Sequence, residues 1–549
     1  MLSPARRMLD QERLGRGFHL MVIGGGITGC GIALDAAQRG LDVVLIEKND
    51  IASGTSSRSS KLIHGGLRYL KQMQFRTTAL SCRERDRLLS TNPHLAWPVP
   101  FLYTARKEDK VPGWAVDVGL GIYDLLAGSK KHHDHLPASK ASKLAPGLDV
   151  DSLDRTLLYQ DGMADDARLT LAVASTASAY GATVLTWTEV LEPLNFGSGR
   201  IQGAIVRDRI SGRSFDIKAM VVVNAAGVWV DELRDRFRLS GRRVRPSRGT
   251  HVVFDRTRLP LEAAVALTSP RDGRPVFLIP HPEGTLVGTT DVLHKGGLDD
   301  PRPSQEEVDY ILEALQRGFP SLKMSKKDIK AAFAGLRPLL DFKGDDPSKA
   351  ARDEEVWEEQ GMISISGGKL TTFRAMAEEA VDKVLKELPE GERVKARSCT
   401  TKGMILDGLT TGPGSSALVK AYSIDPVVSD AMARRLGAYS FWAARMAINK
   451  KELQPLAQGL DLCAAEVRAH LCCKGVVRLE DLFIRRARLA LWNPDACMEA
   501  AELVRGLFME ELEWDGARWE KEMEQLEQAL AGWMYTGNKK EEKKRDEVS

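Results

Sequence analysis

The sequence predicts an α/β protein that begins with a parallel sheet and ends in a helical region. Three observations support this: a strand–glycine turn–helix–strand unit at residues 18–46, short strands between residues 183 and 292, and helical apolar spacing after residue 400. At roughly 150 residues per domain, 549 residues correspond to about two to four domains. Apolar residues make up 43% of the chain, enough for more than one core. This composition excludes a disordered chain and a collagen-like repeat.

Charge and cysteine content exclude further classes of protein. The 78 basic and 75 acidic side chains leave a net charge of +3, which gives no global attraction for nucleic acid. The seven cysteines are odd in number and form no Cys-x-x-Cys pair, so reduced thiols in the cytoplasm are expected. The N-terminus lacks the apolar segment of a secretory signal, and no window reaches the roughly 18 apolar residues of a spanning helix. A membrane contact would therefore be peripheral.

The N-terminal βαβ unit carries a dinucleotide-binding pattern. An apolar strand runs into Gly24-x-Gly26-x-x-Gly29, and a helix of small residues and a second apolar strand follow. The first glycine allows a tight turn, the second lets a pyrophosphate approach the backbone, and the third lets helix and strand pack closely. The helix N-terminus adds free N–H groups and partial positive charge. Glu47 ends the second strand, where its carboxylate would bind a ribose diol and repel a 2′-phosphate.

The middle of the chain alternates helices with short strands. A helix is expected over residues 165–180, and antiparallel strands between residues 251 and 292. Ser304 and Glu307 form a capping-box pattern ahead of apolar residues at helical spacing, which predicts the start of another helix. Beyond residue 400 the apolar residues keep helical spacing, so this region is expected to be all-helical.

Two further glycine turns favour a flavin over a nicotinamide nucleotide. One strand ends in Asn224-Ala225-Ala226-Gly227, and Gly367-Gly368-Lys369 precedes a helix. A long flavin nucleotide needs contacts from well-separated segments, whereas an NAD site within one domain usually does not. The sequence therefore favours FAD as the ligand of the glycine turn.

Arginines, a lysine and a histidine supply groups that suit a phosphate-bearing substrate. Residues 59–69 read SSKLIHGGLRY and place a base, a cation, a phenol and two glycines within a short segment. Arg337 stands before a proline, and Arg352 and Lys369 follow it. Arginine gives bidentate hydrogen bonds to a phosphate monoester, and lysine adds a point charge. Taken singly, an arginine is usually a solvated side chain, and a histidine is more often structural than catalytic.

Together these motifs resemble the FAD-dependent glycerol-3-phosphate dehydrogenase family. The N-terminal part of the resemblance is the run GGGITGCGIALDAAQRGLDVVLIEKNDIASGTSSRSSKLIHGGLRYL. Downstream, DDARL at 165–169, GTTDV at 288–292, GLRPL at 335–339 and GGKLTTFR at 367–374 follow in the family's order. The segment VRLEDLFIRRARLALW at 477–492 is similar to the family's C-terminal helical domain. The resemblance thus covers nearly the whole chain.

The resemblance implies a D-amino-acid-oxidase-like flavoprotein. In such a fold, a Rossmann-like FAD-binding domain is interwoven with an antiparallel-sheet substrate domain, and a C-terminal all-α cap domain follows. The expected ranges are about 18–80, 150–250 and 360–390 for the FAD-binding domain, about 81–149 and 251–359 for the substrate domain, 401–535 for the cap and 536–549 for a disordered tail.

The resemblance also assigns residues to the site. The expected catalytic residues are His64, Arg337 and Lys369. The substrate positions that match the family are His64, Arg68, Tyr69, Thr290, Arg337, Arg352 and Lys369. The residues expected to bind FAD are Gly24, Gly26, Ile27, Thr28, Gly29, Glu47, Lys48, Thr55, Ser56, Ser60, Lys61, Ala225, Gly227, Gly368, Leu370, Thr371 and Thr372.

The implied reaction is oxidation of sn-glycerol 3-phosphate, with hydride transfer from C2 to the flavin while a base takes the C2 hydroxyl proton. His64 has the intrinsic pKa of such a base. Arg337 or Lys369 can instead stabilise the developing alkoxide, and a desolvated Lys369 can itself titrate. The sequence leaves the choice of base open.

The implied partners are glycerol 3-phosphate and a membrane quinone, with the enzyme bound peripherally to the cytoplasmic membrane and a homodimer left open. The alternatives are an oxygen-using oxidase, a dehydrogenase for another polyol phosphate such as erythritol phosphate, and a flavin-binding module without turnover. Nine arginines and four acids between residues 231 and 258 could contact anionic headgroups or form a solvated, salt-bridged surface. No metal is expected, because the histidines at 132, 133 and 135 have no partner cluster in the sequence.

Overall fold

The structure, a computed structural model, describes residues 2–67, 70, 73–109, 111–128, 133–195, 199–340, 354–408 and 414–535. Two β-sheets and a C-terminal group of helices make up the described part of the chain. The strands are β1 (Phe18–Ile23), β2 (Val43–Ile46), β3 (Leu62–Ile63), β4 (Ala96–Arg106), β5 (Asp134–His135), β6 (Leu153–Ala164), β7 (Thr183–Leu185), β8 (Thr188–Pro193), β9 (Gly203–Asp208), β10 (Ser214–Asn224), β11 (Val244–Phe254), β12 (Ala264–Thr268), β13 (Pro275–His281), β14 (Gly284–Gly288), β15 (Val292–Leu293), β16 (Ile329–Leu340), β17 (Glu355–Glu359) and β18 (Met362–Ser366).

The helices connect and cover these sheets. They are α1 (Pro4–Glu12), α2 (Ile27–Gln38), α3 (Phe75–Thr91), α4 (Gly113–Ala127), α5 (Ala138–Leu144), α6 (Asp166–Ala179), α7 (Val230–Arg236), α8 (Gln305–Gly318), α9 (Phe373–Glu387), α10 (Glu390–Arg393), α11 (Ser415–Tyr422), α12 (Pro426–Leu436), α13 (Tyr439–Met446), α14 (Ala464–Cys473), α15 (Leu489–Trp492), α16 (Cys497–Leu512) and α17 (Gly516–Leu530). Among the described residues, no helix has the length and apolar composition needed to cross a membrane.

The first sheet is the predicted parallel sheet, in the order β17-β18-β10-β1-β2-β7. The four central strands run parallel, and β8 and β9 extend β10 as an antiparallel meander. Successive side chains of β1 enter different cores: Leu20 packs with α2, α6 and α9, whereas Met21 packs with the meander and α7. The sheet is therefore buried on both faces, which explains its continuous apolar strands.

The second sheet is mostly antiparallel and has the order β15-β11-β14-β13-β12-β4-β6-β3, with β16 beside β11. Successive side chains along its strands face two different cores in turn. Val252 faces α8 and Val253 faces the C-terminal helices, and the same alternation occurs at Leu278 and Ile279. Helix α8 begins with the predicted capping box between Ser304 and Glu307, which places its apolar face on the sheet.

The two sheets divide the chain differently from the ranges expected for two interwoven domains. Strands β3 and β6 belong to the second sheet, because β6 pairs with β4 along its whole length and β3 pairs with the end of β6. Strand β17 belongs to the first sheet, where it forms a hairpin with β18. The predicted fold class, an α/β protein with an interwoven antiparallel sheet and a helical cap, is confirmed. The tail at 536–549 lies outside the described residues.

The C-terminal region is helical, as predicted, and its described residues form no β-strand. It docks on the rest of the protein through arginines that lie in or just after a π-helical turn at Asp481–Arg486. Arg485 and Arg486 bind the fully buried Asp50, which follows β2. Arg488 donates from Nη2 to Asp166 Oδ1 at 2.9 Å. Burial alone would raise the pKa of Asp50, but Arg486 and Arg485 hold it below its ordinary value.

Replacing Asp50 by Asn should therefore destabilise the protein strongly. The change removes the carboxylate charge that two buried guanidinium groups share, although Arg485 keeps Glu480 and Asp481. Breaking a buried ion pair in this way costs about 3–5 kcal/mol. Chemical denaturation of the FAD-loaded protein measures this cost. The control is Glu313→Gln, because Glu313 pairs with Arg271 at 2.6 Å while both side chains are more than one-third exposed. The control should cost at most about 1 kcal/mol, and equal effects of the two substitutions would contradict the assigned role of Asp50.

Candidate active site

The predicted nucleotide-binding segments meet at one edge of the first sheet. Strands β18, β10, β1 and β2 are neighbours and run parallel, so their carboxyl ends lie side by side. These strands are followed by the turn at 367–372, the turn at 225–227, the glycine turn at 24–29 and Glu47. Ligands of open α/β sheets bind outside the carboxyl ends of the strands. The arrangement therefore brings together segments that are up to about 340 residues apart in the chain.

The glycine turn is built for close backbone approach. Gly24 has a φ of +116°, and a Cβ at this position would lie 2.5 Å from the Ala225 carbonyl oxygen. A Cβ at Gly29 would lie 1.9 Å from the Gly24 carbonyl oxygen. Gly26 caps α2, which begins at Ile27 and carries Thr28 in its first turn. The turn and the helix N-terminus therefore fit a pyrophosphate that lies against bare backbone.

Glu47 and Lys48 point to different partners. Glu47 is buried and accepts hydrogen bonds from the backbone N–H of Gly25 at 2.6 Å and of Asn49 at 2.8 Å. Burial raises the pKa of Glu47, and these backbone bonds oppose the increase. Lys48 donates to Asp299 at 2.6 Å and lies 4.5 Å from the Trp229 ring centroid. The Glu47 carboxylate thus sits beside the glycine turn, where a ribose would lie, while the Lys48 ammonium is bound by Asp299.

The segment after β2 runs from the glycine turn towards β16. The Ser56 hydroxyl accepts from the Ile27 N–H at 2.9 Å, and the Thr55 hydroxyl donates to the Leu336 carbonyl at 2.6 Å. A Cβ at Gly335 would lie 2.2 Å from the Arg58 carbonyl oxygen. This segment is therefore fastened to both the nucleotide turn and the strand that carries Arg337.

Lys61 is buried in a charge network within the fold. Its ammonium donates to Asp166 Oδ1 at 2.7 Å, and neither side chain is exposed. The Asp166 carboxylate also accepts from the Ser59 hydroxyl at 2.7 Å and from Arg488. Burial lowers the pKa of Lys61, and Arg488 lowers it further. Lys61, which was expected to bind FAD, thus forms an ion pair with Asp166. The same carboxylate binds Ser59 and holds the loop in place.

The backbone of His64 is held from two sides. Its N–H donates to the Thr371 hydroxyl at 3.1 Å, which joins it to the turn that contains Lys369. The next N–H, of Gly65, donates to the Tyr123 hydroxyl at 2.8 Å. The Tyr123 hydroxyl in turn donates to the buried Asp161 at 2.9 Å. These bonds place the half-buried His64 at a defined position between the two sheets.

The turn at 367–372 has the geometry that its glycines predict. Gly367 and Gly368 have φ values of +84° and +75°. The Thr372 N–H donates to the Lys369 carbonyl at 3.2 Å, and α9 begins at the next residue. Leu370 packs on the core of the first sheet. The turn therefore presents its backbone to the same edge as the glycine turn and Gly227.

Arg337 is anchored on β16 by the segment after β14. Its guanidinium donates to the Thr289 hydroxyl at 2.9 Å, to the Thr290 carbonyl at 3.2 Å and to Asp291 Oδ1 at 3.3 Å. Gly249 provides the space, because a Cβ there would lie 2.3 Å from Arg337 Nη2. The Thr290 hydroxyl itself is buried and donates to Glu307. Arg337 thus keeps a fixed orientation with about one-fifth of its side chain exposed.

His251 joins this site although the sequence analysis did not select it. Its Nε2 lies 2.8 Å from the Ser60 hydroxyl, and its ring stacks on Phe333 with centroids 5.0 Å apart. Burial lowers its pKa far below the ordinary value, and Arg337 and Lys61 lower it further, so the ring is neutral at physiological pH. The only hint in the sequence was a histidine within the mostly apolar run THVVF, at a position that the structure shows to be buried.

The loop at 54–67 therefore links the described parts of the predicted site. It touches the glycine turn through Ser56, β16 through Thr55, and the turn of Lys369 through His64. Three predicted substrate residues, Arg68, Tyr69 and Arg352, lie outside the described residues.

Comparison with known proteins agrees with this geometry. The FAD dependent oxidoreductase family matches residues 19–383, and the C-terminal domain of alpha-glycerophosphate oxidase matches residues 399–519. Aerobic glycerol-3-phosphate dehydrogenases of Staphylococcus aureus strains USA300 and COL are 34% identical over 542 residues, which is 95% of this chain and 96% of theirs.

Two solved structures show the same fold. Glycerol-3-phosphate dehydrogenase from Bacillus halodurans, complexed with FAD, has a TM-score of 0.79 and 31% identity, and the match covers 96% of this chain and 98% of that one. L-alpha-glycerophosphate oxidase from Mycoplasma pneumoniae, with FAD bound, has a TM-score of 0.55 at 20% identity and covers 67% of this chain and 95% of that one. With a family match over most of the chain and relatives above 30% identity, this chain belongs to the aerobic glycerol-3-phosphate dehydrogenase family of FAD-dependent oxidoreductases.

Proposed function

We propose that this chain oxidises sn-glycerol 3-phosphate to dihydroxyacetone phosphate and passes the electrons to a membrane quinone. The observation that carries the proposal is the loop at 54–67, which joins the nucleotide turn, Arg337 and the turn of Lys369 into one site. The relatives that match nearly the whole chain are named aerobic glycerol-3-phosphate dehydrogenase or glycerol-3-phosphate dehydrogenase, and these names support the substrate.

The cofactor fits the edge of the first sheet. The glycine turn leaves room for a pyrophosphate, and the Glu47 carboxylate lies where it can accept from a ribose diol. The turns at 225–227 and 367–372 supply backbone groups along the rest of a long nucleotide. FAD, when bound, supplies the acceptor for the hydride that leaves C2 of the substrate.

The substrate phosphate and the reacting carbon need different groups. Arg337 offers a fixed guanidinium for the dianionic phosphate or for the developing alkoxide. His64 takes the C2 hydroxyl proton at an imidazole nitrogen, since it lies beside the turn of Lys369 and is only half-buried. Lys369 adds positive charge near the same hydroxyl. His251 is buried and neutral, and its contact orients Ser60. We assign it no part in the proton transfer.

A membrane acceptor requires a surface that meets lipid. Helix α4 exposes Trp114, Val118, Ile122 and Leu125, which follow one another at helical spacing and are 60%, 57%, 38% and 79% exposed. Helix α3 packs against α4 and exposes Arg76. An apolar helix face, with an exposed cation on the helix packed against it, fits a helix that lies in the interface of an anionic bilayer. We assign this stripe as the membrane contact of the chain.

Replacing Arg337 by Ala should weaken substrate binding. A hydrogen bond to a charged group contributes about 1.5–3 kcal/mol, so the apparent KM for sn-glycerol 3-phosphate should rise roughly 10–100-fold. Anaerobic stopped-flow reduction of the bound flavin at increasing substrate concentration measures this directly. The control is Arg271→Ala, an exposed arginine paired with Glu313, which should leave KM unchanged.

The same experiment tests the substrate and the acceptor. Erythritol 4-phosphate should reduce the flavin more slowly than glycerol 3-phosphate, and the reduced enzyme should react with a ubiquinone analogue faster than with oxygen. An unchanged KM in Arg337→Ala would remove this residue from the site. Faster reoxidation by oxygen would make the chain an oxidase, and absence of reduction by any polyol phosphate would contradict the proposed activity.

Replacing His64 by Asn should slow flavin reduction without loss of FAD. Loss of a positioned base costs roughly 10²–10⁴ in rate, and the acid limb of the pH–rate profile should disappear with the imidazole. The side-chain change spares the backbone bonds that hold this residue, so the visible flavin spectrum should stay unchanged. His19→Asn, at a histidine paired with Glu392 on another surface, is the control. A retained acid limb in His64→Asn would assign the proton transfer to another group.

The double substitution Val118→Glu and Leu125→Glu should reduce membrane binding at least tenfold. Each change removes a side chain whose burial in the interface contributes about 1.5–3 kcal/mol. Co-sedimentation with phosphatidylethanolamine–phosphatidylglycerol vesicles measures the binding. The control pair is Val394→Glu and Ile448→Glu, at residues 71% and 68% exposed outside the stripe. Turnover with a water-soluble quinone analogue should remain, and equal vesicle binding by both double variants would reject the stripe.

A further inference from the structure

A cluster of histidines and carboxylates lies next to the apolar stripe but on another face of α4. Asp117 and Asp124 are two turns apart on this helix, and His133 and His135 flank Asp134 in β5. The nearest ligand atoms of Asp117, His133 and His135 all lie within 4.8 Å of one another. The cluster brings together a helix and a strand that the sequence analysis treated separately.

The contacts of His133 and His135 show which atoms their imidazole nitrogens face. His133 Nδ1 lies 2.8 Å from Asp124 Oδ2, which also accepts the His133 backbone N–H. With Nδ1 donating to this carboxylate, His133 Nε2 carries a lone pair, and it lies 2.8 Å from Asp117 Oδ1. His135 Nε2 lies 3.1 Å from the same oxygen. The two nitrogens can donate protons to this oxygen, or, when they are deprotonated, all three atoms can bind one cation between them.

Two imidazole protons join the nitrogens to the Asp117 oxygen separately, whereas one metal ion joins all three atoms. In tetrahedral zinc sites with metal–ligand distances near 2.0–2.1 Å, neighbouring ligand atoms are roughly 3.3 Å apart. The distances from Asp117 Oδ1 to the two nitrogens, 2.8 and 3.1 Å, require only a few tenths of an ångström of opening, and the two nitrogens lie within 4.8 Å of each other. The Asp124–His133 contact is the carboxylate–histidine pair that orients zinc ligands, and Arg155 holds the other oxygen of Asp117 at 2.8 Å.

We propose that Asp117 Oδ1, His133 Nε2 and His135 Nε2 bind a zinc ion, with solvent in the fourth position. Asp124 is the positioning residue for His133. Two imidazoles and a carboxylate suit zinc rather than calcium or magnesium, which prefer oxygen ligands. The site ties α4 to β5 and, through Arg155, to β6. It is independent of the proposed oxidation and leaves the flavin site untouched.

Zinc titration of the metal-free, FAD-loaded protein tests the proposal. Competition with a chromophoric chelator should show one tight equivalent, and cobalt substitution should give the visible absorption of a tetrahedral site. His135→Ala, at a side chain that is 57% exposed and tolerates replacement, should lower zinc affinity at least tenfold. Asp117→Asn should do the same, and Asp124→Asn should cost roughly 10–100-fold through the orientation of His133.

The matched control is His19→Ala. His19 pairs with a single carboxylate, Glu392 at 3.2 Å, and should contribute nothing to zinc binding. Zinc should raise the melting temperature of the wild type but not of His135→Ala. The flavin spectrum of each variant confirms that it has folded. No zinc equivalent in the wild type, or equal affinity in wild type, His135→Ala and Asp117→Asn, would overturn the proposal.

Discussion

The contact on which the rest of the site depends is the buried charge network between the C-terminal helices and the loop after β2. Asp50 and Asp166 lie in the interior, and each is neutralised by arginines from the segment 485–488. Buried carboxylates are stable only when opposite charges and hydrogen bonds compensate their lost hydration. The helical domain therefore does more than cover the second sheet, because its arginines hold the loop that connects the glycine turn to His64.

The cations near the site differ in their ion pairs. Lys61 forms an ion pair with Asp166, and Lys48 forms one with Asp299. Arg337 lies 3.3 Å from Asp291 and also donates to oxygens of Thr289 and Thr290. These contacts fix the direction of the guanidinium at a side chain that is about one-fifth exposed. A fixed and partly exposed guanidinium suits the bidentate binding of a phosphate, which supports the role proposed for Arg337.

The sequence predicted those parts of the site that depend on local patterns. The glycine turn and the turn at 367–369 each combine a strand with a backbone requirement that glycine meets, and Glu47 was located by its spacing from the glycine turn at the end of β2. His251 was missed because its role comes from Ser60 and Phe333, which lie far away in the chain. The histidines after α4 looked isolated for the same reason, since Asp117 reaches them only through the folding of α4 against β5. Pairing across long sequence separations is set by tertiary packing, which local patterns do not contain.

The proposed membrane surface differs from the one that composition alone suggests. The sequence made the nine arginines between residues 231 and 258 a candidate surface for lipid headgroups. In the described part of the structure at least six of them form ion pairs, among them Arg234 with Glu359 and Arg248 with Glu307, at 2.8 and 2.7 Å. Charge that is already compensated adds little attraction to an anionic surface. Exposed apolar side chains gain free energy when lipid buries them, and for this reason we propose the stripe on α4 rather than the arginine segment as the membrane contact.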